Sequence, residues 1–285
     1  DDRPLTPDDI DPAAYAADSE ALFEEHEACG GDFIWAGTAF WGVPWVEAAL
    51  GCGLRADRAA GSIHSEPPPG FSGSEDIPEF DAAAPWVVRM TECYHALSAA
   101  EGRRWPIGTT RMRGISDLLA ALYGNQNLVM AMFERPEEVE AVCARLTDFW
   151  LAMARLQLEL IPLFHGGLGS FYYSMWCPEG TVWYQEDAVS LLSPDLFERF
   201  IAPCARRIAS ELPECILHLH STGYLPVDAY LDMDFLAIEL HLDQGGPSAA
   251  ALHDSHMKIL ARKPLLIWGP LNDEDGRDIF GRLPA

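Results

Sequence analysis

The sequence predicts an α/β protein of the (β/α)8 TIM-barrel class, and three observations carry that expectation. From Pro85 onward, short apolar runs alternate with stretches at helical spacing, the pattern of parallel strands joined by crossover helices. Three such runs, residues 215–220, 236–243 and 264–269, follow at intervals that each leave room for one helix or compact turn. The length, 285 residues, accommodates a single barrel of roughly 250 residues.

The elements read in order as follows. Residues 1–84 form a helical and loop region leading into the barrel, and 85–285 form its main part, one domain overall. Within the first part, residues 15–28 read as helix, 32–39 as a strand, and the Pro- and Gly-rich stretch 61–85 as a long surface excursion. A helix over 86–101 precedes a strand at 104–110 and a helix at 115–123. A longer helix starts at Pro136, where Val139, Val142, Leu146, Phe149, Met153, Leu156 and Leu160 recur at helical spacing. Residues 163–171 read as a strand and its emerging loop, and residues 183–187 as a loop. The next helix opens with Ser193-Pro194-Asp195, a cap, a first-turn proline and an acid in the expected order. Six or seven strands emerge from this reading, and none follows the last helix at 274–283. Two expectations follow: either a further strand near the N-terminus closes the barrel, or the barrel lacks terminal segments in this chain, the second being favoured.

Composition narrows the function. The net charge is −25, with 44 acidic against 19 basic residues. Such a chain repels a phosphate backbone, which argues against nucleic acid as a partner. The same field weighs against a polyanionic substrate unless a local basic pocket overrides it. No apolar run of about 18 residues is present, and the first residues have neither the basic start nor the apolar stretch of a signal peptide. The expectation is a soluble, cytoplasmic protein without a membrane partner. Seven irregularly spaced cysteines with no C-x-x-C pair read as reduced thiols packed as small hydrophobes. P-loop, G-x-G-x-x-G, G-x-S-x-G and H-E-x-x-H motifs are missing.

The residues that can carry chemistry gather at strand ends. His218 and His220 are two apart in a strand and share one face, with Leu217 and Leu219 on the other. Two imidazoles at the rim of a barrel can bind a divalent metal; they can equally be polar lumen residues bonded to their neighbours. The next strand alternates Glu239, His241 and Asp243 with Ile238, Leu240 and Leu242, so its polar side also faces the lumen. Five metal-capable side chains on two adjacent strand ends are costly to bury without partners. Asp187 can serve as a general acid or base, orient an imidazole, or merely cap a helix. Arg111 and Arg113 can clamp a substrate carboxylate or pair with the surplus acids. His165 beside Gly166-Gly167 marks another strand end, and Tyr173 and Trp183 belong to an aromatic segment suited to a pocket wall or to the core.

A family resemblance then emerges from the order of several motifs. They are Arg113-Gly114-Ile115-Ser116-Asp117, Leu122-Tyr123-Gly124, Pro136-Glu137-Glu138-Val139, Gln185-Glu186-Asp187, Leu192-Ser193-Pro194, Ile216-Leu217-His218-Leu219-His220 and Lys263-Pro264-Leu265-Leu266-Ile267-Trp268-Gly269. Together they resemble the uroporphyrinogen decarboxylase and corrinoid methyltransferase superfamily over residues 85 to the end. That resemblance implies an α/β barrel and, in the methyltransferases, zinc bound through a His-x-Cys strand. His218 falls on that histidine, while His220 stands where those enzymes have cysteine. The decarboxylase branch is less similar, because its Arg-rich N-terminal motif is not found in residues 1–60.

The leading expectation is a metal-assisted, methyltransferase-like enzyme acting on a small molecule or on a methyl group carried by a corrinoid partner protein. In it His218 and His220 ligate zinc, with Glu239 or Asp243 as a further ligand. Asp187, His241 and Arg113 are the candidate catalytic residues, and Arg111, His165, Trp183 and Tyr173 the candidate substrate-binding ones. One alternative is a cofactor-free decarboxylase of uroporphyrinogen or a smaller acid; another is a non-catalytic small-molecule-binding barrel. A homodimer is compatible with either.

Overall fold

The computed structural model describes residues 3–100 and 104–284. In chain order the elements begin with helices α1 (Pro12–Cys29) and α2 (Trp45–Ala49), followed by strands β1 (Gly53–Asp57) and β2 (Ser62–Glu66). Helix α3 (Pro85–Ser98), strand β3 (Met112–Arg113) and helices α4 (Ile115–Tyr123), α5 (Asn125–Glu134) and α6 (Pro136–Leu160) come next. Strands β4 (Gly167–Ser170), β5 (Met175–Pro178) and β6 (Thr181–Gln185) precede helices α7 (Pro194–Leu196) and α8 (Ala202–Glu211), which are joined by a π-turn over Phe197–Ile201. The chain continues through β7 (Glu214–His220), α9 (Val227–Leu231), β8 (Ala237–His241), α10 (His253–Leu260), β9 (Leu265–Trp268) and α11 (Asp273–Arg282).

The fold is mixed α/β around a five-stranded sheet ordered β3-β6-β7-β8-β9, every neighbouring pair parallel. Two antiparallel pairs, β1-β2 and β4-β5, lie outside it. An isolated parallel bridge joins Gly37 and Ile107 outside these strands, and the Gly169 amide donates to the Ile107 carbonyl at 2.9 Å. The strands expected at 32–39 and 104–110 are thus present only as that bridge, and the ladder forms slightly later, at β3. Residue 101, where the α3 helix was expected to end, lies outside the described residues. Among the described residues no helix is long and apolar enough to cross a membrane.

Two faces of the sheet bury different chemistry. The outward row of Val182, Tyr184, Leu217, Leu219, Ile238 and Leu240 joins the main hydrophobic core under the helices. Helix α6 is central to that core: Val139, Val142, Leu146, Trp150 and Met153 are fully buried along one stripe, as its sequence period requires. Burying each such side chain contributes on the order of 1.5–3 kcal/mol. The inward face forms a second, smaller cluster in which Trp183, Ile216 and Ala237 pack on Tyr173 and Cys177 from the β4-β5 hairpin. The hairpin thus covers the inside of the sheet.

Strand β6 corrects the expected loop at 183–187. All five of its residues are buried, and it pairs with β3 on one side and β7 on the other. A central parallel strand buried on both faces shows no polar alternation, so Thr181–Gln185 lacks the usual signature. Helix caps, by contrast, follow the sequence closely. Ser193 accepts the Leu196 amide at 3.4 Å, and Asp11 accepts the amides of Ala13 and Ala14 at 3.0 and 3.1 Å.

The turn from β3 into α4 is tied to the end of β6. The Gly114 amide donates to the Gln185 carbonyl at 2.5 Å, and a Cβ at Gly114 would lie 2.4 Å from that oxygen and 2.6 Å from the Glu186 carboxyl. Gly114→Ala should therefore destabilise the fold by about 1–3 kcal/mol through overpacking. Urea unfolding checks this; a loss below a few tenths of a kcal/mol would show that the turn is not so closely packed.

Candidate active site

The parallel register sets the site. It pairs Gln185 with His218 and His218 with Glu239 in one row, then His220 with His241 and His241 with Trp268 in the next. In-register parallel neighbours share a face, so the polar ends of β6, β7 and β8 converge at the C-terminal edge of the sheet. Asp187 lies two residues beyond β6, at the same edge.

The contacts there are specific. His218 Nδ1 bonds the Glu239 carboxylate, and His220 Nδ1 bonds Asp243 Oδ1 at 2.5 Å. With both Nδ1 atoms held, both Nε2 atoms point to one place: they lie 3.3 Å apart, and Asp187 Oδ1 is 3.4 Å from His218 Nε2 and 3.3 Å from His220 Nε2. That Asp187 oxygen is buried and accepts no well-aligned hydrogen bond. The outer carboxylates are themselves fixed. Asp243 Oδ2 accepts the Ser221 amide at 3.1 Å, and Glu239 Oε2 accepts the Tyr173 hydroxyl at 3.3 Å. His241 stands beside the pair, its ring 5.0 Å from that of His220, with Nδ1 3.5 Å from Glu239 Oε1 and no hydrogen bond there. Three overlapping sets can hold a metal ion: Asp187 with His218 and His220, His218 with Glu239 and His241, and His220 with His241 and Asp243.

Charge follows from these neighbours. Burial opposes protonation of His218, yet Asp187 and Glu239 outweigh it and push its pKa up to about 10. For His220 the Asp187 contact prevails over burial, with Asp243 adding to it, and the value rises to about 9. Burial would raise the Asp187 carboxyl, but the two imidazoles hold it well below the usual carboxylate range.

A buried polar network positions Asp187. Asp117 accepts the backbone amides of Asp187 and Ala188 at 3.2 and 3.0 Å. Arg113 pairs with Glu47 at 2.9 Å and with Asp117 at 3.6 Å, so it is turned into this support and not toward the histidines. Glu186 points the other way: it accepts the amides of Ile115 and Ser116 at 3.0 Å each, together with the hydroxyls of Ser116 and Tyr184. It therefore caps α4. Burial, reinforced by Asp117, pushes Glu186 up to about 8, and burial with the nearby Asp187 charge pushes Asp117 up to about 7.

Of the expected site residues, His218, His220, Glu239, His241, Asp243 and Asp187 come together. Trp183 and Tyr173 flank them, the Trp183 ring lying 5.6 Å from His218 and edge-on to it. Arg111 lines the adjoining cleft with Trp183. His165 is not brought to the cluster: it is exposed in the turn ahead of β4, where it has φ 53° and touches Phe164. Asp117 and Glu47 escaped the sequence reading, since one looks like an ordinary first-turn helix acid and the other like a surface acid in a short helix. A buried partner for Arg113 was the only available hint.

The chain resembles a solved methyltransferase from Methanosarcina mazei with a TM-score of 0.66 and 15% sequence identity, covering 91% of this chain and 69% of that one. The two share a fold. No protein-family model and no curated protein matches the sequence. At that identity the likeness speaks for the methyltransferase-like α/β fold, and the chemistry has to be argued from the side chains.

The metal-free cluster has a definite pH signature. Both histidines have folded values above the ordinary 6.5, so their stabilisation is complete below about pH 6.5 and is lost as pH rises toward 9 and 10. In chelator, the difference in Tm between wild type and His220→Asn should be largest near pH 6 and shrink by pH 10. A constant difference across that range would contradict the ion-paired arrangement.

Proposed function

We propose that the protein is a metal-assisted, methyltransferase-like enzyme whose sheet is part of a (β/α)8 barrel wall. The observation that carries this reading is the convergence of His218 Nε2, His220 Nε2 and Asp187 Oδ1 on one point, with each Nδ1 anchored by a carboxylate. A buried carboxylate oxygen without a well-aligned donor, facing two imidazole nitrogens, fits a divalent cation. Two nitrogens and one oxygen suit zinc and leave a position for substrate. In this reading Asp187 is the third ligand, while Glu239 and Asp243 orient the imidazoles from behind. This exchanges the roles first expected for these carboxylates.

When bound, the metal supplies Lewis-acid activation of a substrate heteroatom. The chain's own residues do the rest. Glu239 and Asp243 hold the Nδ1 protons, so each Nε2 presents a lone pair. Asp117, braced by Arg113 and Glu47, fixes the Asp187 backbone. His241, with Nδ1 free of hydrogen bonds, is placed to accept or return a proton beside His220. The likeness to a methyltransferase supports a methyl group as the transferred unit, and the resemblance of the His218-Leu219-His220 strand to that of corrinoid methyltransferases suggests a corrinoid-bearing partner protein as its source. A decarboxylase holding its substrate with two arginines is less well supported, because Arg113 is already occupied.

Metal analysis of the purified protein tests the reading. Wild type should bind about one zinc per chain; Asp187→Ala and His218→Ala should lose it, and Asp243→Ala should weaken it by about 10–100-fold. Asp187→Ala with wild-type affinity would overturn the assignment. Methyl transfer from methylcobalamin to a thiol acceptor, followed by the corrinoid's visible spectrum, then tests the reaction class.

A further inference from the structure

We propose that Arg111 is the anion-recognition residue of this site and that the substrate is a small monocarboxylate with a flat, apolar body. The assignment of substrate class rests on the enzyme reading above. It begins from an imbalance. In a chain with 44 acids and 19 bases, Arg113 is consumed by Glu47 and Asp117, whereas Arg111 makes no side-chain hydrogen bond or ion pair among the described residues. Its Nε is buried without a partner. A guanidinium held partly out of water without an acceptor is costly. An incoming carboxylate, which matches its fork bidentately, removes that cost.

The surroundings define the rest of the ligand. Arg111, with Trp41, Phe171, Tyr172, Trp183 and Ile216, lines a narrow slot whose interior is only about 20 Å³, room for about one water. Tyr172 and Trp183 stack with centroids 4.5 Å apart and planes at 20°, and Trp41 and Phe171 stack at 6.1 Å and 22°. Each pair is closed ring on ring, so a ligand meets the aromatic surface left open beside it, such as the exposed part of Trp41, which suits a flat apolar body. Arg111 and Trp41 also line a wider opening of about 330 Å³ that reaches Arg113, Gln185 and Asp187, and this opening supplies the room for the ligand. The walls adjoin the histidines as well, since the rings of Tyr172 and Trp183 lie 5.9 and 5.6 Å from that of His218. A ligand anchored at Arg111 thus extends toward the Nε2 atoms. A lone unpaired arginine in so acidic a chain selects one negative charge, not several.

The test measures binding in chelator, so that no acid can bind through a metal. Benzoate, benzenesulfonate, phenyl phosphate and neutral benzamide are titrated while the fluorescence of the cleft tryptophans is followed. Wild type should bind benzoate at least about 10-fold more tightly than benzamide, as a charge-assisted contact requires. Arg111→Met should abolish that preference and Arg111→Lys should keep part of it, with circular dichroism confirming that both fold. Equal binding of acid and amide by wild type, no saturable binding of any acid, or an unchanged preference in Arg111→Met would overturn the proposal. A preference for phenyl phosphate would overturn the carboxylate assignment. Zinc content, measured in parallel, separates the two readings: Arg111→Met should retain metal, and His218→Ala should lose metal yet still discriminate benzoate from benzamide.

Discussion

The structure turns on one contact, the bond between His218 on β7 and Glu239 on β8. Both groups are almost wholly buried, at 2% and 0% exposure, in a place where either alone would be a liability. A buried ion pair that loses one member leaves an uncompensated charge, with costs of about 3–5 kcal/mol. Parallel pairing without a register shift puts the two side by side. Given that pairing, His220 and Asp243 meet one step further on, and Tyr173 from the hairpin donates to the same Glu239 oxygen that His218 bonds.

Around that contact the polar groups are layered by distance from the convergence point. Imidazole nitrogens and one aspartate oxygen face it, carboxylates brace the imidazoles, and the Arg113 network holds the loop that carries the aspartate. Hydrophobic packing supplies the frame for this. The leucines between the histidines lie in the main core, so rotating β7 to escape the charge cluster would expose them. The apolar and polar halves of the strand therefore enforce each other.

Much of this was legible from the chain alone. Alternation in 216–220 and 236–243 placed three imidazoles and two carboxylates on one face, because the strand period of two leaves little choice. Helix boundaries at Pro136 and Ser193 were readable because caps and first-turn prolines act locally. What stayed hidden has a common cause: it depends on neighbours distant in sequence. Strand β6 carries no alternation because it is covered on both sides. Asp117 and Glu47 become notable only when Arg113 comes between them. The division of labour among the carboxylates could not be read either, since it depends on which imidazole nitrogen each one reaches. His165 misled for the opposite reason: its glycine neighbours suggested an approach for ligand, and they serve a tight turn before the hairpin.

Because the convergence point draws one side chain from beyond β6 and two from β7, with their braces from β8, no stretch of a few residues contains it. Asp187 precedes His218 by thirty-one positions, and Glu239 follows it by twenty-one. On the proposed metal-binding reading, an unfolded chain would offer a cation only scattered, floppy donors, and affinity would arise only when the middle strands have docked. Occupancy would report on completed tertiary assembly, and by mass action the ion would act as a latch on the finished sheet.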